Sequence, residues 1–250
     1  QNEKELDMTI IKNFPRILHG GDWNPDQWLE HPEIIDQDFE LMDKAHCNPF
    51  SLGIFSWGQI EVEEGKYDFS WLDSVMNRCA ERGKKVFLAT PSAARPGWMG
   101  LRYPETALAD ANRVRRPWMT RQSACHNSPV FREAVRRIDT KLAERYANHP
   151  ALGGWHISNE YCAVCYCERC IAKFHEFLKQ RYGTLENLNR AYWSAFWSHH
   201  FTDWTQVNPT DEAVDIARLD WMRFTTENIV DFMRMEKAAI RVFSDKPAST

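Results

Sequence analysis

Two groups of side chains in this 250-residue sequence have types and spacings that could do chemistry. The first is Asn159-Glu160, which closes the run Gly153-Gly154-Trp155-His156-Ile157-Ser158. A carboxylic acid can protonate a leaving oxygen and a neighbouring amide can bond a ring hydroxyl, and sugar chemistry asks for both. An Asn-Glu after a strand is also a common helix cap or surface turn, so the dipeptide alone leaves both roles open. The second group is a cysteine cluster: Cys162, Cys165, Cys167 and Cys170 fall within nine residues of a chain with seven cysteines in all. Geometry prevents most such close neighbours from pairing with one another. A reduced chain with a metal site fits this better than a disulfide framework, with free thiols the alternative. Cys47 and Cys79 read as small buried hydrophobes.

Chemistry at Glu160 needs a strand to carry it and helices to hold that strand. Short apolar runs at 17–21, 48–55, 85–90 and 153–158 read as four strands, the third stopped by Pro91. Helical spacing covers 34–43, 69–82, 129–146, 170–182, 185–193 and 211–243. Ser128 suits a cap, Pro129 a first turn and Gly83 a helix stop. A proline- and arginine-rich segment, 91–127, separates the third strand from the next helix, and loops of that length are usually functional or disordered. A fifth strand is expected to begin within 246–250.

Strand, loop and helix recurring in this order imply parallel strands with crossover helices. The fold class is read as α/β, the amino-terminal portion of a (β/α)8 TIM barrel with about four to five βα units. Residues 1–14 form a lead-in, and 15–250 an incomplete catalytic barrel cut from a longer protein. A doubly wound open sheet competes, but no Gly-x-Gly-x-x-Gly turn or phosphate loop follows the first strand. Reactive residues of parallel α/β folds lie at the carboxyl ends of strands, which is where Glu160 falls. His19, Asp22, Trp23 and Asn24 are placed at a strand end facing the same mouth, for sugar contact or to build the tight Gly20-Gly21 turn.

The net charge of −4 disfavours a sequence-independent grip on nucleic acid. No apolar run approaches the roughly 20 residues that span a bilayer. Residues 1–7 lack the apolar stretch of a secretory signal, and with the unpaired cysteines this gives an expected cytoplasmic location. Eleven tryptophans suit stacking on ring-shaped ligands as well as a heavy core.

Several segments carry a resemblance: Gly20-Gly21-Asp22-Trp23-Asn24-Pro25-Asp26-Gln27-Trp28, Gly53-Ile54-Phe55-Ser56-Trp57, and Glu61-Val62-Glu63-Glu64-Gly65-Lys66-Tyr67. Further along stand Asn127-Ser128-Pro129-Val130-Phe131-Arg132-Glu133, Trp155-His156-Ile157-Ser158-Asn159-Glu160-Tyr161 and Ala195-Phe196-Trp197. In this order they resemble the amino-terminal part of a glycoside hydrolase family 42 β-galactosidase. The resemblance implies a retaining glycosidase that releases terminal β-D-galactose by double displacement. Glu160 takes the place of the general acid/base, held protonated by burial and by a nearby negative nucleophile. Asn159 takes that of its hydroxyl-binding partner, Arg121 that of an arginine on the galactosyl unit, and Trp197 that of a tryptophan at the pocket edge. The nucleophile is a glutamate closing a seventh strand, beyond Thr250. Ser51 and Ile54 stand where other members carry an arginine and a glutamate.

The resemblance also implies a structural Zn²⁺ on Cys125, Cys165, Cys167 and Cys170, with no catalytic cofactor, and a homo-oligomer, a trimer in many members. Cys162 is additional to that pattern, and Arg113, Arg115 and Arg116 are read as surface charges. α-L-Arabinosidase or β-fucosidase specificity is the alternative within the family. A zinc-binding interaction module is the alternative outside it, disfavoured by the single cysteine knuckle and the negative charge.

Overall fold

A computed structural model describes residue 11 and residues 17–115, 120–193, 195–210 and 214–250. Five strands form one parallel sheet: Asp22–Trp23, Pro49–Leu52, Lys85–Ala89, Leu152–His156 and Ala248–Ser249. Each pairs with the next in chain order, and all the pairings are parallel. A doubly wound sheet reverses its strand order at a switch point. This one does not, so its winding is that of a barrel wall.

Helices return the chain between strands. Pro32–Lys44 follows the first strand, Ser70–Glu81 the second and Pro129–Tyr146 the third. Glu168–Tyr182, Leu185–Tyr192 and the long Asp215–Arg241 follow the fourth. The sequence reasons are plainest in Pro129–Tyr146. The Ser128 hydroxyl accepts the Phe131 N–H, and Pro129 fills a first-turn position that has no N–H to lose. Phe131, Ala134, Val135, Ile138, Leu142 and Tyr146 then recur at three- and four-residue steps and are all buried.

The pleat sorts the strands' two faces. Phe50, Leu52, Val86 and Leu88 are buried against the helices with Phe39, Leu72, Met76 and Ile138. Each such side chain contributes roughly 1.5–3 kcal/mol of burial. Ser51, Phe87 and His156 occupy the other face, where Ser51 Oγ lies 3.1 Å from His156 Nδ1. Position 154 shares that face and is glycine because a Cβ there would stand 2.7 Å from the Phe87 ring and 2.9 Å from the Pro247 carbonyl oxygen.

Four differences from the sequence reading stand out. The first strand is Asp22–Trp23, not 17–21. The earlier residues run beside the second strand, held by the Asn48 amide on the Ile17 carbonyl and by Asn48 N–H on that of His19. Trp23 faces the helices rather than the mouth: it is buried beside Phe39 and Phe50, and its indole N–H donates to Asp38 at 2.8 Å. The segment 91–127 is ordered in most of its described part, with a helix at Gly97–Arg102 and bridges pairing Ala107 with Ala124 and Ala109 with Arg115. The alternation signal also missed an antiparallel hairpin, Glu61–Glu63 with Lys66–Tyr67, turned by Gly65 at φ +80°. The buried Glu61 carboxylate takes the Trp57 indole N–H and the Gly65 N–H, which accounts for an acidic residue there.

Candidate active site and metal centre

The fourth strand ends at His156, and the chain then makes a tight turn over Ser158, Asn159 and Glu160. Ser158 and Glu160 have φ values of +54° and +45°, a left-handed conformation that costs a side-chain-bearing residue about 1–3 kcal/mol. Such strain persists only where neighbours fix it. The Thr90 hydroxyl, at the end of the third strand, accepts the Ser158 N–H at 2.7 Å. The Gln122 side-chain amide donates to the Asn159 carbonyl. Gln122 is itself at φ +55°, pinned by its N–H on the Ala93 carbonyl at 2.6 Å. Two long-separated stretches, 121–123 and 158–160, are thereby held against each other at the carboxyl end of the sheet.

Across that contact the Arg121 guanidinium meets the Glu160 carboxylate, Nη1 to Oε2 at 2.6 Å. Arg121, Asn159 and Glu160, all named from the sequence, are therefore brought together. Among these residues the Glu160 side chain is 63% exposed and that of Arg121 61%. Trp197 belongs to the short helical turn Phe196–Ser198, and its side chain lies outside the described residues. Sequence reasoning missed Thr90 and Gln122. A threonine closing an apolar strand and a glutamine beside the arginine are weak signals by themselves.

The cysteine group is geometrically closed. Cys125, Cys165, Cys167 and Cys170 are all buried, and their sulfurs lie within 4.8 Å of one another. Cys125 is 3.8 Å from Cys167 and 3.6 Å from Cys170, and Cys167 is 3.7 Å from Cys170. Sulfurs at 2.3 Å from a tetrahedral Zn²⁺ sit about 3.8 Å apart, so the donor set fits that ion with no position left open. Cys162 is exposed and stands outside the group.

The surroundings favour a sulfur anion at Cys165 and Cys167, while the neighbouring sulfurs hold the Cys125 and Cys170 thiols up. The Ala109 N–H donates to Cys165 and the Asn127 amide to Cys170, each at 3.2 Å. Cys167 caps the helix Glu168–Tyr182, whose amino end is electropositive. Hydrogen bonds from Cys125, then Cys165 and Cys170, pull the Cys167 thiol well below its ordinary range. Arg115 belongs to this centre and corrects its reading as a surface charge. It is half-buried, donates to the Ala107 and Glu105 carbonyls at 2.5 and 3.1 Å, and lies close to Cys167. Cys79 is buried as expected, its thiol pushed up to about 12 by burial, whereas Cys47 is only partly covered. Among the described residues no helix is long and apolar enough to cross a membrane.

Comparison with known proteins gives a consistent result. The model of glycoside hydrolase family 42, described as β-galactosidase, matches residues 22–250. β-Galactosidase BglY of Alicyclobacillus acidocaldarius is 47% identical over 231 residues, covering 91% of this chain and 34% of that protein. β-Galactosidase GanA of Bacillus subtilis is 45% identical over 240 residues, covering 94% and 36%. The crystal structure of a β-galactosidase from Rahnella sp. R3 superposes with a TM-score of 0.92 at 46% identity, over 96% of this chain and 36% of that one. The chain spans about a third of the length of the curated relatives it matches.

Proposed function

This chain belongs to the glycoside hydrolase family 42 β-galactosidases, and from that premise we propose that it supplies the acid/base half of a retaining enzyme releasing terminal β-D-galactose. Residues 15–250 are read as the opening part of its barrel, and the lead-in at 1–14 lies, save for residue 11, outside the described residues. The observation that carries the reading is the convergence of Arg121, Asn159 and Glu160 on one strained turn at the carboxyl end of the fourth strand.

In the proposed cycle Glu160 gives its proton to the glycosidic oxygen, while a glutamate on the seventh strand, outside these residues, attacks the anomeric carbon. Glu160 then takes a proton from the water that releases galactose, regenerating the acid. Arg121 turns from the carboxylate to the galactosyl hydroxyls when sugar binds, Asn159 bonds a ring hydroxyl, and Trp197 borders the pocket.

The four cysteines hold a structural Zn²⁺ that ties the segment after the third strand to the loop after the fourth, beside the turn. Thiols in that number suit a reducing, cytoplasmic compartment, and assembly as a trimer rests on the family resemblance alone.

The test uses full-length enzyme. Glu160→Gln is expected to lose about 10²–10⁴ in kcat on unactivated galactosides, and much less on substrates whose leaving group needs no proton. Wild-type turnover on unactivated galactosides would overturn the assignment. A panel of nitrophenyl glycosides separates β-galactosidase from α-L-arabinosidase or β-fucosidase specificity.

A further inference from the structure

One carboxylate that the proposed cycle does not use lies directly beneath the turn. Glu236 sits on the long helix Asp215–Arg241, among the residues of that helix that face the core, and is fully buried. Its Oε1 accepts the Thr90 hydroxyl at 2.9 Å, and its Oε2 accepts the Tyr161 hydroxyl. Thr90 in turn accepts the Ser158 N–H. A single carboxyl thus brackets the turn, gripping its entry at Ser158 through Thr90 and its exit at Tyr161 directly. The two residues between those grips are Asn159 and Glu160, and both left-handed backbone positions lie within the bracketed stretch.

The arrangement is specific in its polarity. An ionised carboxylate only accepts, and each oxygen here receives a hydroxyl whose other contacts run to the turn. The ring of Tyr161 is fixed as well, edge-on to Phe232 and His126, so its hydroxyl has little freedom to follow a moving turn. Around Glu236 stand Thr90 and Ser92 after the third strand, Tyr161 after the fourth, and Asp139 and Arg132 from the helix Pro129–Tyr146. Asp139 is also fully buried, and neither of its carboxyl oxygens has a hydrogen-bond partner among the described residues. Two buried carboxyls facing each other cannot both hold charge cheaply. The one with no donors, Asp139, takes the proton and leaves Glu236 free to accept. Burial, then the charge of Glu236, drives the Asp139 carboxyl well above its ordinary range.

We propose that Glu236 is a positioning residue: through Thr90 and Tyr161 it holds the Ser158–Glu160 turn in its left-handed form and so aims the Glu160 carboxyl, with Asp139 as its proton-bearing partner. The inference rests on Glu160 being the acid/base. Positioning of this kind acts on turnover more than on binding, since a displacement of about 1 Å at a reacting group can cost around a hundredfold in rate.

The test uses full-length enzyme and two readouts. In Glu236→Leu, crystal structures are expected to show Ser158 and Glu160 leaving positive φ and Asn159 parting from Gln122. Its kcat is expected to fall about a hundredfold with KM within about threefold. Glu236→Gln, which keeps an acceptor for one hydroxyl, is expected to recover at least tenfold of that loss. Tyr161→Phe, which removes one grip and keeps the ring, falls in between, and it carries the test should Glu236→Leu not fold. Positive φ retained at both residues in Glu236→Leu, or in Tyr161→Phe where that variant stands in, would overturn the proposal. The backbone readout decides this even where Glu160→Gln has shown that the acid/base lies elsewhere.

Discussion

Arg121 Nη1 and Glu160 Oε2 are 2.6 Å apart, joining residues thirty-nine positions apart in the sequence. Both side chains are more than half exposed, so the pair adds little to stability, at most about 1 kcal/mol. Its value lies in orientation. The pair fixes which way an otherwise free carboxyl points, and in the proposed cycle it keeps a guanidinium beside the sugar. Arg121→Ala in full-length enzyme is expected to lower kcat/KM on galactosides about a hundredfold and to leave the melting temperature within about 2 °C. Arg121→Lys restores only part of the loss, because a point charge cannot reproduce the planar fork. An unchanged kcat/KM in Arg121→Ala would remove Arg121 from the site.

Most of this site was legible in the sequence, and the reasons are local. Asn159 and Glu160 follow a strand whose small and apolar residues announce it, and Ser128-Pro129 starts its helix with its own cap and its own fixed φ. Close spacing marks the cysteines from 162 to 170, whereas Cys125 as the fourth ligand in place of Cys162 is what the family resemblance implies. What could not be read is what depends on long-range contact. The run 17–21 suits a strand by composition, and its His19 and Gly21 carbonyls accept from Asn48 and Ser51, yet the regular ladder with the second strand begins only at Asp22. Arg115 looked like one more surface charge until the fold brought Cys167 to it. Glu236 and Asp139 did leave a trace: each stands at the buried phase of its helix, in step with Phe232 and Ile240 or with Val135 and Leu142. An acidic residue in that register was a signal open to reading.

The four-cysteine group makes a direct prediction. Freshly purified, reduced full-length protein is expected to carry about one zinc per chain, and Cys167→Ser or Cys170→Ser to carry less than half of that. Because a site assembled by folding stabilises only the folded state, loss of the ion is expected to lower the melting temperature by about 5 °C or more. Turnover should fall with it, since the cluster lies beside the segment carrying Arg121. Elemental analysis and thermal unfolding read both effects. Less than half an equivalent of zinc in the wild type would count against the site, and iron in its place would change the ion rather than the ligands.

The start of the barrel wall gives a paired test of packing. A Cβ on Gly20 would stand 1.8 Å from the Pro49 carbonyl oxygen, which is backbone and cannot swing away. Gly21 next to it meets nothing within 4 Å. Gly20→Ala should therefore push the first strand off the second and cost about 2–3 kcal/mol, while Gly21→Ala costs under about 1 kcal/mol. Denaturant unfolding of the two variants side by side measures the contrast. Equal destabilisation would mean that the two strands do not approach this closely.

The buried carboxyl pair predicts a pH dependence with a definite sign. Burial pushes Glu236 up to about 7, against the pull of its bonds from Tyr161 and Thr90, and Asp139 is raised well above its ordinary 3.8. For an acid raised on folding, the folded state keeps a proton that the unfolded chain gives up near pH 4. The pair's stabilising contribution is then whole below about pH 4, and it is lost as pH rises toward about 7. Asp139→Asn substitutes a group that never ionises and removes that residue's share of the loss. The melting temperature of the variant is expected to change less between pH 5 and pH 8 than that of the wild type, by a few degrees or about 1–3 kcal/mol. The variant therefore stands relatively better at pH 8 than at pH 5, whatever it costs in packing. Parallel curves across that range would mean that Asp139 does not hold a proton against Glu236, and that the carboxylate beneath the turn keeps its charge without help.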